Sequence, residues 1–396
     1  MEDRTREYLR GRFGDYYRSM NPYNPLSAER REWGFIPWTA GTGTIMKRHQ
    51  SLLDMGGLQE FLVANRPKHV YFSAGVYQKP GTPSMVGKNW MGSDLIFDLD
   101  ADHLHSFSSE GSTYAEMLYA CKEELWKLLD FLTEDFSFQN LEIVFSGGRG
   151  YHVHVRHDAI RELDRSARRE VVDYILGAGV ELETIVQTET VSGIGLRNPT
   201  KKRSVGAGGG WDKRIHSAIL ERIDELRDME NESAQLKLQE FEGIGSKKAL
   251  NILSIIDKKH KEIEMGNIDV HPDFVTWMKK LIPNIVENQS ASIDEPVTTD
   301  IHRLIRLPLS LHGGTSLQVK PIKYEKLDEF DPLEHAVPDR FKGRDIKISV
   351  EGREDELVEL GGETFTISDG INIIPEYAAM FLMARGEAEK VKETKN

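Results

Sequence analysis

Two aspartates on one predicted strand are the first residues in this sequence that could do metal chemistry. In the run Ile96–Asp100, a strand repeats its side-chain direction every two residues, so Asp98 and Asp100 lie on one face while Phe97 and Leu99 pack on the other. The two carboxylates would lie ~6.5–7 Å apart along the strand. Two acids on an otherwise apolar strand are typical of a divalent-cation site. The alternative is a strand end where both acids meet water, because a DxD pattern is short and common.

A glycine-rich turn in the segment SGGRGYHVHV, residues 146–155, is the second chemical feature. Its three glycines permit positive φ and close backbone approach, so their N–H groups can form a nest for an anion. Ser146 adds a hydroxyl, and the Arg149 guanidinium can bind a phosphate through two hydrogen bonds. Beyond the turn, His152 and His154 share one strand face. Two alternatives stay open: a plain hairpin with packed histidines, or zinc binding by the His pair, for which no further His or Cys lies at a convincing spacing.

The third chemical feature is the segment SIDEPVTTDIHRLIRLPLSLHGGTS. It contains Asp294 and Asp300, then Arg303 and Arg306 on either side of an apolar pair, and His312 before two glycines. A solvated helix face would also explain the two arginines. Taken together, the three features supply carboxylates, arginines and histidines around glycine turns, which is what two-metal phosphoryl or nucleotidyl transfer needs.

These features resemble, in order and spacing, the catalytic (small) subunit of archaeal and eukaryotic DNA primases. The resemblance extends from the N-terminal region to beyond residue 310 and is carried by REWGF near Arg31, RHQS at Arg48, FDLD, SGGRGYHVH and RLIRLPLSLHGGT. The form RLIRLPLSLHG and the ending PEYAAMFLMARGEAE are similar to the archaeal branch. By this resemblance, the catalytic, metal-binding carboxylates are Asp98, Asp100 and Asp294. The residues that line the site of the incoming nucleoside triphosphate are Arg48, Ser146, Arg149, His152, Arg306 and His312.

The same resemblance implies a fold, an activity and partners. The implied fold is mixed α/β (α+β), a primase catalytic core of mixed sheets flanked by helices, with a helical insertion domain. The implied activity is synthesis of short RNA primers, with DNA primers left open, on single-stranded DNA with two Mg²⁺ or Mn²⁺ ions. The implied partner is a large subunit that carries an iron–sulfur cluster and forms a heterodimer with this chain. The alternatives are an end-joining or repair polymerase of the same fold and a non-catalytic nucleic-acid-binding subunit.

Two positions depart from the family pattern. Many relatives carry two arginines in the turn where this chain has Gly148 before Arg149, so one phosphate contact is absent or comes from elsewhere. The family often carries a Cys/His zinc knuckle after the DxD strand, where this chain offers His103, His105 and Cys121. A structural zinc site needs four ligands, usually with at least two thiolates, so we predict that the full family zinc site is absent. Cys121 is expected to be a small buried hydrophobe on a helix.

Strands and one long helix are predicted to position these residues. Apolar and β-branched runs predict strands at His69–Tyr77 and Ser93–Ala101, and the glycine turn is predicted to join two further strands in a hairpin. Apolar residues at spacings of three and four predict a helix over Thr113–Glu134. The first ~35 residues are predicted to be helices that lead into a strand around Gly43–Leu52. A basic helix is predicted over Arg161–Leu176.

The middle of the chain is predicted to be a helical insertion in the catalytic core. A glycine run predicts a linker near Lys201–Gly210, and the pattern over Ile215–Glu287 is almost entirely helical. Strand and turn character returns over Val297–Val319, and the chain is predicted to end in a helix with a charged tail. The predicted domains are a first part of the core over 1–205, the helical insertion over 206–290, and a second part of the core over 291–396.

The insertion contains a motif of its own, FEGIGSKKALNIL at residues 241–253. It has the form of a helix–hairpin–helix turn, which binds nucleic-acid phosphates through backbone N–H groups. A glycine turn between two packed helices has the same sequence pattern, and we prefer that interpretation.

Composition narrows the class of protein. The 396 residues suggest two or three domains, at ~150 residues per domain, or one core with an insertion. A net charge of −13 argues against a protein that coats nucleic acid non-specifically, although local basic patches remain compatible with it. The single cysteine cannot form an intramolecular disulfide, which fits a reducing compartment. With no apolar leader and no run of ~18 apolar residues, the sequence predicts a cytoplasmic protein without a membrane anchor.

Overall fold

The computed structural model describes residues 1–40, 45–104, 111–192, 200–206, 208–352 and 355–392, with backbone alone at 189–192 and 200–202. The chain divides into two compact units. The first comprises Met1–Leu125, Gln139–Glu170 and Ile293–Asn396, and the second comprises Trp126–Phe138 and Val171–Ser292. The range 206–290, predicted as a helical insertion, falls within the second unit. The domain boundaries drawn from the sequence stay predictions.

Helices and antiparallel sheets alternate along the chain, which confirms the mixed α/β fold class. The helices are α1 (Asp3–Ser19), α2 (Leu52–Met55), α3 (Leu58–Asn65), α4 (Tyr114–Asp130), α5 (Arg165–Ile175), α6 (Leu182–Ile185), α7 (Gly210–Asp228), α8 (Asn231–Gln239), α9 (Ser246–Glu264), α10 (Pro272–Gln289), α11 (Glu295–Thr299), α12 (Pro332–His335) and α13 (Glu376–Arg385). The strands are β1 (Arg31–Ile36), β2 (Lys47–Gln50), β3 (His69–Tyr77), β4 (Trp90–Ser93), β5 (Leu95–Asp100), β6 (Leu141–Phe145), β7 (Gly150–Val155), β8 (Val186–Ser192), β9 (Thr200–Val205), β10 (Leu304–Arg306), β11 (Lys320–Ile322), β12 (Asp345–Val350), β13 (Glu356–Leu360), β14 (Glu363–Ile367), β15 (Gly370–Pro375) and β16 (Glu389–Lys390).

One sheet of the first unit has the strand order β10-β3-β1-β2, and β4 also pairs with β3. Strand β10 runs antiparallel to β3, and its register sets Arg306 opposite Tyr71. Strand β1 at the centre of the sheet is buried along its whole length. This sheet therefore presents the short strand β10, which comes from the C-terminal part of the chain, beside a strand from the N-terminal part.

The other large sheet of the first unit has the order β11-β6-β7-β5 and is antiparallel throughout. Strands β6 and β7 form the predicted hairpin, and the turn between them needs glycine at two positions. Gly147 has φ of +76°, which favours glycine, and a Cβ on Gly150 would lie 1.7 Å from the carbonyl oxygen of Leu99 on β5. The glycine at 150 thus lets the turn approach the strand that carries the two aspartates.

Several predicted elements are confirmed, and two are wrong. The strand His69–Tyr77 and the helix at Thr113–Glu134 are present as β3 and α4. The segment Arg31–Ile36, predicted to end a helix, is strand β1, because its arginine is buried and bonded at 2.7 Å to Asp94 instead of facing water. The first half of the linker predicted near 201–210 belongs to strand β9, which pairs with β8. The predicted C-terminal helix ends at Arg385, and its tail forms the short strand β16 against β12.

The second unit is built mainly from α7, α8, α9 and α10, as the helical pattern predicts. Their buried faces carry apolar side chains at helical spacing, such as Ile215, Ile219 and Ile223 of α7. In FEGIGSKKALNIL, α8 ends before the glycine pair and α9 begins after it, with Gly243 at φ +82° and Ile244 buried. The segment is therefore a turn between two helices, a geometry that both interpretations share, and the preference for a plain packing turn stays a prediction. No helix in the described ranges is long and apolar enough to cross a membrane.

Candidate functional site

The two larger sheets of the first unit supply the strands that position the predicted catalytic residues. Asp98 on β5 pairs in register with His152 on β7, and Asp100 pairs with Gly150. Directly opposed residues on antiparallel strands share a face, so the carboxylate and the imidazole meet. His152 Nε2 lies 3.4 Å from Asp98 Oδ1. The alternation along β5 thus places both aspartates beside the glycine turn.

Charge and burial make Asp98 an unusual carboxyl group. Burial, together with the negative charges of Asp100 and Asp294, raises the pKa of Asp98 from 3.8 to about 7. Arg303 and Arg306 oppose that rise. Asp294 comes close because its backbone N–H donates to the Asp98 carbonyl oxygen at 2.9 Å, which ties the start of α11 to β5. Three predicted ligands therefore share one electrostatic site.

His152 is held as a neutral ring. Burial and the positive charges of Arg306 and Arg303 lower the pKa of His152 to about 3. Its contact with Asp98 is consequently not an ion pair at neutral pH. The buried Nδ1 atom has no hydrogen-bond partner among the described residues, and neither has either ring nitrogen of His154. His154 instead stacks on Phe72, with the ring planes 7° apart.

The glycine turn presents Arg149 and fixes its backbone from several sides. Ser146 Oγ accepts from the Gly148 N–H at 3.2 Å, and the Tyr114 hydroxyl donates to the Gly148 carbonyl. The Arg149 guanidinium pairs with Asp102 and lies 3.8 Å from Asp100 Oδ1. The Cys121 thiol donates to the Arg149 carbonyl at 3.1 Å. The turn is thus braced by helix α4 and leaves the arginine half-exposed.

Arg306 and His312 approach the turn from the other part of the chain. Arg306 Nη1 lies 2.6 Å from His69 Nδ1 and donates to the Tyr71 hydroxyl at 3.1 Å. His312 packs against the turn so closely that a Cβ on Gly148 would lie 3.3 Å from His312 Nε2. Burial and the charge of Arg306 hold the pKa of His312 well below its ordinary value. His312 thus packs on the glycine turn and Arg306 lines the same cleft, although no local sequence motif joins either residue to the turn.

Arg48 on β2 lies at the rim of the same region. Its Nε donates to Glu32 Oε1 at 3.0 Å, and the Glu32 carboxylate is completely buried. Lys88 Nζ lies 3.5 Å from the other oxygen of Glu32. The guanidinium is thus anchored on one side and open to the cleft on the other.

These side chains line one cleft with a volume of about 780 Å³. The structure brings together in it Arg48, Asp98, Asp100, Ser146, Arg149, His152, Arg306 and His312. Asp294 is not among the residues that line the cleft, although its charge reaches Asp98. The sequence analysis assigned no role to several further lining residues: Tyr71, Tyr114, His302, Thr315, Arg385 and Glu387.

Arg385 is the most informative of the missed residues. It ends helix α13, and its guanidinium lies 4.9 Å from the centre of the Tyr114 ring, with Nε 2.6 Å from Glu387 Oε1. The Tyr114 hydroxyl in turn bonds the Gly148 carbonyl. A cation from the C-terminal helix therefore lies near the turn position Gly148. The one sequence signal for Arg385 was its position at the end of an apolar helix.

Asp300 is the second aspartate of the segment that also contains Arg303 and Arg306. A partnership with arginine would be the simplest role for a carboxylate beside Arg303, but within the described ranges Asp300 forms no ion pair. Its Oδ1 accepts the His302 N–H at 2.9 Å, and the residue lines the cleft. It caps the turn that follows α11.

The donor chemistry of the site fits a hard divalent cation. Carboxylate oxygens are the ligands that Mg²⁺ and Mn²⁺ prefer, and the crowding that raises the pKa of Asp98 is what a bound cation would relieve. Within the described part of the chain, no three His, Cys, Asp or Glu side chains already stand as a closed metal-binding group. Asp98, Asp100 and Asp294 are the carboxylates that could hold a cation here.

The residues considered for zinc are spread over different environments. Cys121 is completely buried on α4 and free, as expected for a small hydrophobe. Burial raises the pKa of the Cys121 thiol, which disfavours the thiolate that zinc needs. His103 lies in the exposed turn Ala101–His103, and His105 lies outside the described residues.

Comparison with known proteins gives one consistent result. The family model described as the DNA primase small subunit matches residues 97–324. The chain is similar to the DNA primase small subunit PriS of Haloarcula marismortui, with 52% identity over 394 residues that cover 99% of this chain and 100% of that protein. The PriS protein of Halobacterium salinarum is 50% identical over 393 residues, with the same coverage. That of Methanothrix thermoacetophila is 41% identical over 401 residues, covering 98% of this chain and 100% of the relative.

Proposed function

This chain belongs to the DNA primase small-subunit family, and we propose that the cleft between β5, the glycine turn and β10 is its nucleotidyl-transfer site. The chain is a DNA primase, a nucleotidyltransferase of DNA replication. One observation supports placing the reaction in the cleft: Asp98 and Asp100, two neutral histidines and several arginines from distant parts of the chain converge there, and the charge of Asp294 reaches Asp98. The residue roles that follow are part of the proposal.

Asp98, Asp100 and Asp294 are the proposed ligands of two divalent ions. Such ions, when bound, lower the pKa of the primer 3′ hydroxyl and stabilise the charge that develops on the leaving pyrophosphate. The tie between the Asp294 N–H and the Asp98 carbonyl fixes the distance between two of these ligands. The raised pKa of Asp98 means that the empty site tends to hold a proton, which a cation has to displace.

The cations of the cleft are the proposed holders of the triphosphate. Arg149 and Arg306 stand on opposite elements, one on the hairpin turn and one on β10, so together they can hold a phosphate chain from two sides. Ser146 presents a hydroxyl at the base of the turn. His152 and His312, held neutral, can donate one ring N–H to phosphate oxygens without adding charge.

Partners and substrates complete the proposal. We propose that a large subunit with an iron–sulfur cluster pairs with this chain, that single-stranded DNA is the template, and that NTPs or dNTPs are the substrates. The chain has one cysteine and so cannot bind such a cluster with its own thiolates. A cytoplasmic location is part of the same proposal.

Primer synthesis on unprimed single-stranded DNA is the direct test. The full chain, with its large subunit, is incubated with NTPs and either Mg²⁺ or Mn²⁺, and the products are resolved by length. We expect short products from the wild type and their loss in Arg149→Gln and Arg306→Gln. The control is Arg10→Gln, a surface arginine of α1 that pairs with Glu7 at 3.2 Å. Synthesis that occurs only when a primer 3′ end is supplied would favour the repair-polymerase alternative.

A further inference from the structure

We propose that His69 is a positioning residue that aims the Arg306 guanidinium into the cleft without pairing it with a carboxylate. His69 is absent from every motif in the sequence and is not among the residues that line the cleft. It begins strand β3, two residues before Tyr71 and on the same side of the strand. This inference rests on the proposed function, in which Arg306 binds the triphosphate.

The contacts of His69 join two separate pieces of the site. Its Nδ1 lies 2.6 Å from Arg306 Nη1. The same Nδ1 accepts a hydrogen bond from the Gly313 N–H at 3.3 Å. The His69 ring also meets the His312 ring edge-on, with 4.9 Å between the ring centres. Close approach is possible because residue 313 is glycine: a Cβ there would lie 2.1 Å from Lys68 Cγ. One imidazole therefore fixes Arg306 and the loop that carries His312.

The hydrogen-bond pattern defines the protonation of His69. Nδ1 faces two N–H donors, so it must act as an acceptor and carry no proton. Burial and the charges of Arg306 and Lys68 lower the pKa of His69 well below its ordinary value, in agreement with a neutral ring. The second partner of Arg306, the Tyr71 hydroxyl, is also neutral, and the guanidinium lies 5.3 Å from the centre of the Tyr71 ring.

Neutral partners distinguish Arg306 from three other arginines of the cleft, each of which pairs with a carboxylate. Arg48 pairs with Glu32, Arg149 with Asp102, and Arg385 with Glu387. None of the ion pairs within the described ranges involves Arg306. A carboxylate at position 69 would hold the guanidinium equally well but would cancel the charge that an incoming anion needs. A neutral acceptor fixes the direction of the guanidinium and keeps its charge available.

Three substitutions at one position separate these effects. His69→Ala removes the acceptor, His69→Asn keeps a neutral acceptor near the place of Nδ1, and His69→Asp keeps an acceptor but adds negative charge. The assay is extension of a supplied primer on a DNA template by the full chain with Mn²⁺, which gives KM for NTP and kcat. We expect KM to rise about tenfold in the Ala variant, equal to about 1.4 kcal/mol, with kcat changed far less. We expect the Asn variant to stay within about threefold of wild type and the Asp variant to be at least as impaired as Ala.

The matched control is His335→Ala. His335 Nδ1 also accepts a backbone N–H, from Asp331 at 2.9 Å, but it lies outside the cleft. Its KM is expected to match that of the wild type. Thermal melting of each variant shows whether a change in KM reflects loss of fold.

Two more variants, Arg306→Gln and the double variant His69→Ala/Arg306→Gln, separate the role of His69 from the proposed triphosphate role of Arg306. If Arg306→Gln leaves KM for NTP unchanged, the proposed triphosphate role of Arg306 is wrong. If Arg306→Gln raises KM but His69→Ala does not, the positioning role of His69 is wrong. If His69 acts through Arg306, the His69→Ala substitution raises KM much less in the Arg306→Gln background than in the wild-type background. Full additivity of the two effects, or an Asp variant that works as well as Asn, would overturn the inference.

Discussion

Asp98 provides the sharpest test of the electrostatics of this site, because its ionisation should weaken the fold when no metal is bound. The change is Asp98→Asn, which keeps the shape of the side chain and removes its charge. The pKa of Asp98 rises from 3.8 to about 7, and at 1.36 kcal/mol per unit the ionised form costs the fold at most about 4 kcal/mol. The side chain is 20% exposed, so we expect solvent screening to leave roughly 1–2 kcal/mol.

The sign of the pH dependence follows from the direction of the shift. Because the pKa in the folded state lies above that in the unfolded state, the folded protein binds the proton more tightly. The wild type therefore loses this stability as the pH rises from about 4 through about 7, and the loss is complete above the folded-state pKa. The Asn variant has no such loss. The advantage of the variant should be near zero at the acid end and greatest at pH 8.

Urea unfolding of the full chain in excess chelator, at several values of pH, measures this difference. The control is Asp158→Asn, whose side chain is 99% exposed and which should change the free energy of unfolding by less than about 0.5 kcal/mol. Adding Mn²⁺ should stabilise the wild type and not the Asn variant. The same variant should lower primer synthesis more than about a hundredfold, because a lost metal ligand costs several kcal/mol in the transition state. A variant that is no more stable than wild type at pH 8 without metal would refute the reasoning.

Three further predictions concern the third acid, the cysteine and the partner. Asp294→Ala should abolish metal-dependent synthesis. Asp300→Ala removes the acceptor of the His302 N–H and should mainly lower the melting temperature. The reverse pattern would mean that the third ligand is Asp300. Purified protein should contain no stoichiometric zinc by elemental analysis. Cys121→Ala should lower the free energy of unfolding by about 1–2 kcal/mol with or without chelator. Loss of zinc on mutation, together with a large fall in melting temperature, would show that a zinc site exists. The isolated chain should start primers weakly and gain from its large subunit, so equal initiation by the chain alone would contradict the proposed partnership.

Local patterns in the sequence determined the parts of the site that lie within single elements. The period of two along Ile96–Asp100 predicted that both aspartates share a face, and the glycine turn predicted the hairpin that carries Arg149 and His152. These features depend on the pleat of a strand and the backbone freedom of glycine, which act over a few residues. The sequence therefore sufficed for the strand β5, the hairpin and the family.

The same local rules failed where burial reversed the meaning of a residue type. Arg31 looks like a surface residue, but it is buried and bonded to Asp94, so its segment is a strand and not a helix end. A charged residue indicates an exposed position only when the fold offers it no buried partner. The partner of Arg31 is 63 positions away in the sequence. A single sequence shows no such pairing.

Only the tertiary structure decided which distant residues meet at the site. The sequence did not show that β10 pairs with β3, which brings Arg306 to His69, or that α13 ends beside the glycine turn and delivers Arg385. It also could not give the pKa of Asp98, which depends on burial and on the charge of Asp294 nearly two hundred positions away. Electrostatic and hydrogen-bond energies depend on distances in space, and those distances are fixed by the packing of the whole unit and not by spacing along the chain.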